Sequence, residues 1–187
     1  GGGIYCTSGA RICHNRIQLN AVVSNQSTFG GGIACDHIAN SQFILEQNTL
    51  ERNSTRSGQG ASSGGAIFIE SSTGRIVMNT IATNSVETNA TQWHGLGGGI
   101  ACFRSALAVV QNSITSNSVS VPNGSAHANY GGGVHSYDVV LEFSKNSIVN
   151  NRVQGSSLVS SRGGGIVVSE TASRQARIDA NLFKGNS

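Results

Sequence analysis

The 187-residue sequence predicts an all-β fold, a right-handed single-stranded parallel β-helix of about six coils with three short strands in each. Three observations predict it. A glycine cluster closed by an apolar residue recurs at Gly1–Ile4, Gly30–Ile33, Gly64–Ile67, Gly97–Ile100, Gly131–Val134 and Gly163–Ile166, with first glycines 29 to 34 residues apart. Each cluster is followed by two asparagines five apart around an apolar residue: Asn20/Asn25, Asn48/Asn53, Asn79/Asn84, Asn112/Asn117, Asn146/Asn151 and Asn181/Asn186. No window repeats apolar residues at the three-and-four spacing of a helix, and glycine, asparagine, serine and threonine dominate. A unit of this length buries its apolar face by stacking on copies of itself.

Within each coil the glycines come first, where the backbone takes a tight path that a Cβ would obstruct or a positive φ would forbid. The first strand follows, with inward positions at Ile4, Ile33, Ile67, Ile100, Val134 and Ile166. Two residues on, the same face continues as Cys6, Cys35, Ile69, Cys102, Ser136 and Val168, the spacing one buried strand face requires. A second apolar ladder lies three positions before the first asparagine, at Ile17, Leu45, Ile76, Val109, Phe143 and Ile178. The third lies between the asparagines, at Val22, Leu50, Ile81, Ile114, Ile148 and Phe183. The asparagines mark bends, where their side chains bond neighbouring amides or one another up the stack and tolerate left-handed backbone. Connections Gln26–Phe29, Ser54–Ser63, Ser85–Leu96, Ser118–Tyr130 and Arg152–Arg162 vary in length and are polar, so they are expected to form a stacked surface fringe on which partners bind.

The chain reads as one domain, 1–187, and neither end carries an atypical capping repeat, so the expectation is a segment of a longer solenoid whose open ends stack on further coils of the same or a partner protein. Twelve lysines and arginines against nine acids give a net charge of +3, scattered singly and without interleaved aromatics, which argues against nucleic-acid binding. No stretch approaches the roughly 18 apolar residues of a membrane span. No residue pattern points to a cofactor. Sequons at Asn25, Asn53, Asn89 and Asn123, with scarce lysine, fit an extracellular or cell-surface glycoprotein. The four cysteines lack metal-ligand spacing; Cys6 and Cys35 share a phase in adjacent coils, at a Cα separation that a disulfide tolerates.

Two groups of residues carry candidate chemistry. Asp36 and Glu70 share the position just after the first-strand ladder, about one strand spacing apart and near the separation of a retaining glycosidase pair. Phe103 and Tyr137 fill the same column as stacking faces, and Arg104, one residue on, is placed to meet a uronate. The second group is Trp93, His94, His127 and Tyr130 in successive long loops, with His135 just past the next glycines. If those loops fold together they make an aromatic and histidine ligand patch, although no close pair has metal-ligand spacing.

Gly-Gly-Ala-Ile at 64–67, its glycine-rich variants, and Phe183-Lys184-Gly185-Asn186 with its Ile, Leu and Val forms resemble the repeats of polymorphic outer membrane proteins over essentially the whole chain. Similar repeats occur more broadly in pectin-lyase-like proteins. The resemblance implies a right-handed β-helical passenger of an autotransporter, displayed on the cell surface and involved in adhesion. The functional expectation is a non-enzymatic extracellular structural or adhesive shaft, or part of a surface filament or cell-wall assembly, meeting glycans or host and cell-surface proteins along its loop edge. Its rival is a polysaccharide-active enzyme, lyase or glycoside hydrolase, or a glycan-binding relative, working around Asp36, Glu70 and Arg104.

Overall fold

A computed structural model describes residues 1–38, 41–89, 94–121, 128–155, 160–169 and 175–187. They form a parallel β-solenoid: every strand pair between coils is parallel, and each position pairs with its equivalent in the next coil. A complete coil contains five strands, not three, and the described residues make five such coils and three strands of a sixth. The third coil shows the pattern: Ile67–Glu70, Thr73–Val77, Thr80–Ala82, Ser85–Thr88 and Gly95–Leu96. Stacking turns these into five sheets, numbered here first to fifth in that order.

The first three sheets enclose one continuous apolar column running from Ile12 to Ile148, with Ile33, Ile67, Ile100, Leu45, Ile76, Leu50, Ile81 and Ile114 all fully buried. Burying each such side chain contributes about 1.5–3 kcal/mol. In the first coil the phase differs from that expected. Ile12 pairs with Leu45 and Ile17 with Leu50, so the asparagine pair of that coil is Asn15/Asn20 rather than Asn20/Asn25. Asn15-Arg-Ile-Gln-Leu-Asn20 and Asn20-Ala-Val-Val-Ser-Asn25 both satisfy the motif. The distance from the glycines does not separate them: the first asparagine follows its first glycine by 15 residues at Asn79, Asn112 and Asn146 but by 18 at Asn48 and Asn181, so 14 for Asn15 and 19 for Asn20 lie equally close to that range, and only the strand register decides.

In coils two to five, three corners turn through a residue with positive φ that is not glycine. In the fourth coil these are Arg104 at 46°, Gln111 at 56° and Ser116 at 54°. The asparagines themselves are not left-handed; the residue before each one is. Such a conformation costs about 1–2 kcal/mol for an L-residue, and the buried asparagines offset it by fixing the corner. Asn112 accepts at Oδ1 from the backbone N–H (2.9 Å) and the Nδ2 (3.0 Å) of Asn79, and donates from its own Nδ2 to Ile76 O (2.8 Å), Val110 O and Asn146 Oδ1. One ladder runs Asn15, Asn48, Asn79, Asn112, Asn146, Asn181. The other runs Asn20, Asn53, Asn84, Asn117, Asn151, Asn186. Between the first and second sheets serine does the same work: Ser72 Oγ accepts from Ile38 N–H at 3.0 Å and Ser105 Oγ from Ser72 N–H at 3.1 Å.

The fourth and fifth sheets lie within segments that read as polar connections. Their inward residues include hydroxyls, so the interior between them is a hydrogen-bonded seam. Thr28 Oγ1 meets Ser62 Oγ at 2.8 Å, Ser62 donates to Thr55 Oγ1 at 2.9 Å, and Ser57 to Thr88 Oγ1 at 3.1 Å, all of them buried. The fifth sheet then enters the first through the glycine cluster. Gly97 has φ +62°, and a Cβ on Gly98 would overlap the carbonyl oxygen of Gly132 in the next coil. Glycine at these two positions lets coils approach at strand spacing.

Candidate functional site

Along the first sheet, residues 34, 68, 101 and 135 alternate with the core positions and so point outward, yet all four are buried. They are covered by outward side chains of the fifth sheet, which makes the corner between these sheets re-entrant. Rings follow one another along it: Phe29 to Phe68 (4.6 Å between centroids), Phe68 to Phe103 (5.7 Å), Phe103 to His135 (5.5 Å), His135 to Tyr130 (5.7 Å) and Tyr130 to His94 (5.9 Å). The two candidate groups of the sequence therefore share one corner. Phe29, Phe68 and Leu96 also belong to it and carry no sequence motif. Their signal is only that each follows a buried position of its strand by one residue, which points outward in a strand.

At coils two and three the column beside this corner is acidic and internally matched. Asp36 and Glu70 are register partners. Glu70 is ion-paired with Arg104, while Asp36 accepts from the Tyr5 hydroxyl at 3.2 Å and contacts His37 Nδ1 at 2.5 Å. The Asp36 charge pushes the Tyr5 phenol above its ordinary value. Arg104 thus binds Glu70 while its side chain stays 59% exposed. Outward cross-coil pairs elsewhere, Arg11–Glu46 at 2.8 Å and Arg56–Glu87 at 3.1 Å, follow the same pattern and contribute about 0–1 kcal/mol each.

At coils three to six the corner opens into a cleft of about 310 Å³. Its walls are Leu96, Phe103, Tyr130 and Tyr137; His94, His135 and Ser169 supply the other polar atoms. Phe103 and Tyr137 are register partners, so their rings stand one strand apart. His135 is only 5% exposed, and its Nδ1 has no hydrogen-bond partner among the described residues. Burial, with a smaller contribution from nearby His94, holds its imidazole down at about 4, so it is neutral at pH 7. The Arg162 guanidinium lies 6.0 Å from the centre of the Tyr130 ring. Trp93 and His127, the remaining members of the loop group, lie outside the described residues.

Comparison with protein-family models, with curated proteins and with solved structures finds no match. The parallel β-solenoid therefore rests on the geometry itself, and no residue role is carried over from a relative. Among the described residues no group of three or more His, Cys, Asp or Glu side chains is arranged to hold a metal ion, and no helix is long and apolar enough to cross a membrane.

The remaining site expectations sort by burial. Asn53 is fully buried, with Nδ2 bonded to Ile17 O (2.8 Å) and Asn84 Oδ1 (3.0 Å), so a glycan there is incompatible with the folded coil. Asn25 lies outside both ladders and is exposed, and Asn89 is half-buried. Asn123 lies outside the described residues. Cys6 and Cys35 are register partners, but they are free thiols here, as are Cys13 and Cys102. Burial, reinforced by Cys6, pushes the Cys35 thiol up to about 12, which makes it a poor nucleophile at neutral pH.

Proposed function

We propose that the chain is a non-enzymatic structural or adhesive column of an extracellular or cell-surface protein. The observation that carries this reading is the state of the acidic pair: Glu70 is held by Arg104, and Asp36 by Tyr5 and His37. General acid–base work on a glycosidic bond needs one carboxyl group free to give a proton and another free to attack or to activate water. The glycine, asparagine and serine repeats all have a complete account as supports of the backbone, which favours a scaffold. Such a column would stack with further β-coils of the same or a partner protein. Extracellular placement draws on the sequon at exposed Asn25 and on the motif resemblance to surface-displayed passengers. In such a protein the column would serve adhesion, or scaffolding within a filament or cell-wall assembly.

A second reading, a polysaccharide lyase or glycoside hydrolase, is favoured by one observation, the register pairing of Asp36 with Glu70. Incubating the protein with neutral and uronic-acid polysaccharides and following reducing ends and unsaturated products separates the two. The column reading expects no product. Product formation that disappears in Glu70→Gln would replace it with the enzymatic one.

A further inference from the structure

We propose that the cleft of coils three to six binds one neutral pyranose unit of a glycan, its ring face on Tyr137 and Phe103 and a hydroxyl on the imidazole of His135. The proposal rests on the adhesive reading above and gives it a ligand class.

Three features of the cleft narrow the chemistry. Its volume of about 310 Å³ lies at the low end of small-molecule sites, which suits one or two sugar rings. Aromatic faces that are partly open, such as that of Tyr137 at 46% exposed, suit a ligand with flat, weakly polar C–H faces. The Nδ1 of His135 is already buried without a partner, a standing cost that an apolar ligand would leave in place and that a hydroxyl reaching the imidazole removes. A hydroxyl is also indifferent to the imidazole tautomer, since it donates or accepts.

Charge decides between neutral and acidic sugars. The cleft lining contains no carboxylate, ammonium or guanidinium group. Arg104, the cation nearest to the acidic column, is bound by Glu70. The guanidinium beside the cleft, that of Arg162, is turned to the Tyr130 ring 6.0 Å from its centre, so a uronate carboxylate would have to draw it off that face, whereas a neutral hexose leaves no charge unmatched.

The test is calorimetric titration of the intact chain with cello-, manno-, xylo- and galacto-hexasaccharides and with an oligogalacturonate. At least one neutral hexasaccharide is expected to bind, about tenfold more weakly to Tyr137→Ala, the loss of one stacked ring, and with affinity retained in Tyr137→Trp. His135→Phe keeps the ring and removes the hydrogen bond, and is expected to weaken binding with an unchanged circular dichroism spectrum. Failure of every neutral sugar to bind overturns the proposal. So does binding that is indifferent to Tyr137→Ala, or a preference for oligogalacturonate that is lost in Arg104→Ala. Reducing ends measured in the same samples keep the two failures apart: product release defeats the non-enzymatic reading, while absence of both binding and product defeats only the cleft.

Discussion

The outward column of the first sheet carries two different chemistries on one backbone. In coils two and three it presents Asp36 and Glu70, whose carboxylates are satisfied by Tyr5 from the first coil, by His37 and by Arg104 from the fourth. In coils four and five the same positions hold Phe103 and Tyr137 beside a buried, unpartnered histidine nitrogen. Backbone, register and spacing are shared, so the difference lies in side chains alone. A solenoid can vary its outer column without disturbing its inner one, and the half left unsatisfied is where a ligand has something to add.

The largest expected effect removes what the halves share. Asn112→Ala leaves the N–H and Nδ2 of Asn79 and the carbonyls of Ile76 and Val110 short of a partner in a buried corner, and is expected to cost about 4 kcal/mol. Asn25→Ala, at an exposed side chain outside the ladder, is expected to stay within about 0.5 kcal/mol. Urea denaturation measures both. If the two variants melt alike, the ladders do not brace the column.

Acid is expected to act on the aromatic half. His135 has an ordinary value of 6.5 in the unfolded chain and about 4 in the fold. Between those values the unfolded chain takes up a proton that the folded chain refuses, so stability falls as pH drops from 6.5 to 4 and levels off below. The loss approaches about 3 kcal/mol. The other titratable groups around this ring are His94, Tyr130 and Tyr137. Stability measured against pH in His135→Phe is expected to lose this part of the slope; an unchanged slope would assign it to other groups.

The smallest effect belongs to the acidic half. Glu70→Gln is expected to cost less than about 1 kcal/mol, because the Arg104 partner is exposed and its ion pair is screened. A loss several times larger would mean that the acidic half is as integral to the fold as the asparagine ladders.

How much of this was legible in the sequence follows from which forces leave a pattern. The glycine and asparagine ladders and the Ile67, Ile76 and Ile81 faces repeat because steric and apolar demands recur identically in every coil. The fourth strand carries a valine ladder, Val22, Val86, Val119 and Val153, interrupted by Thr55 and displaced in the first coil by the wrong asparagine phase, while the two-residue fifth strand puts the hydroxyls of Thr28 and Ser62 inside and leaves no apolar pattern. The serine corner at Ser72 and Ser105 occurs in too few coils to read as a ladder. Asn20 was assigned the wrong partner because two overlapping stretches match the motif. At the site, Phe103, Tyr137, His94 and Tyr130 were recognisable as residues, but their meeting depends on the fifth sheet folding against the outside of the first. Asp36 and Glu70 stood out for their shared phase, and only the coordinates reveal that Arg104, Tyr5 and His37 already satisfy them.

Amide hydrogen exchange with and without the best-binding neutral hexasaccharide tests the contrast between the halves most directly. The account predicts added protection confined to His94–Leu96, Ile100–Phe103 and Ala128–Tyr137, with Ile33–Asp36 and Ile67–Glu70 unchanged. Protection centred on Ile33–Asp36 and Ile67–Glu70, or no protection anywhere, would contradict it.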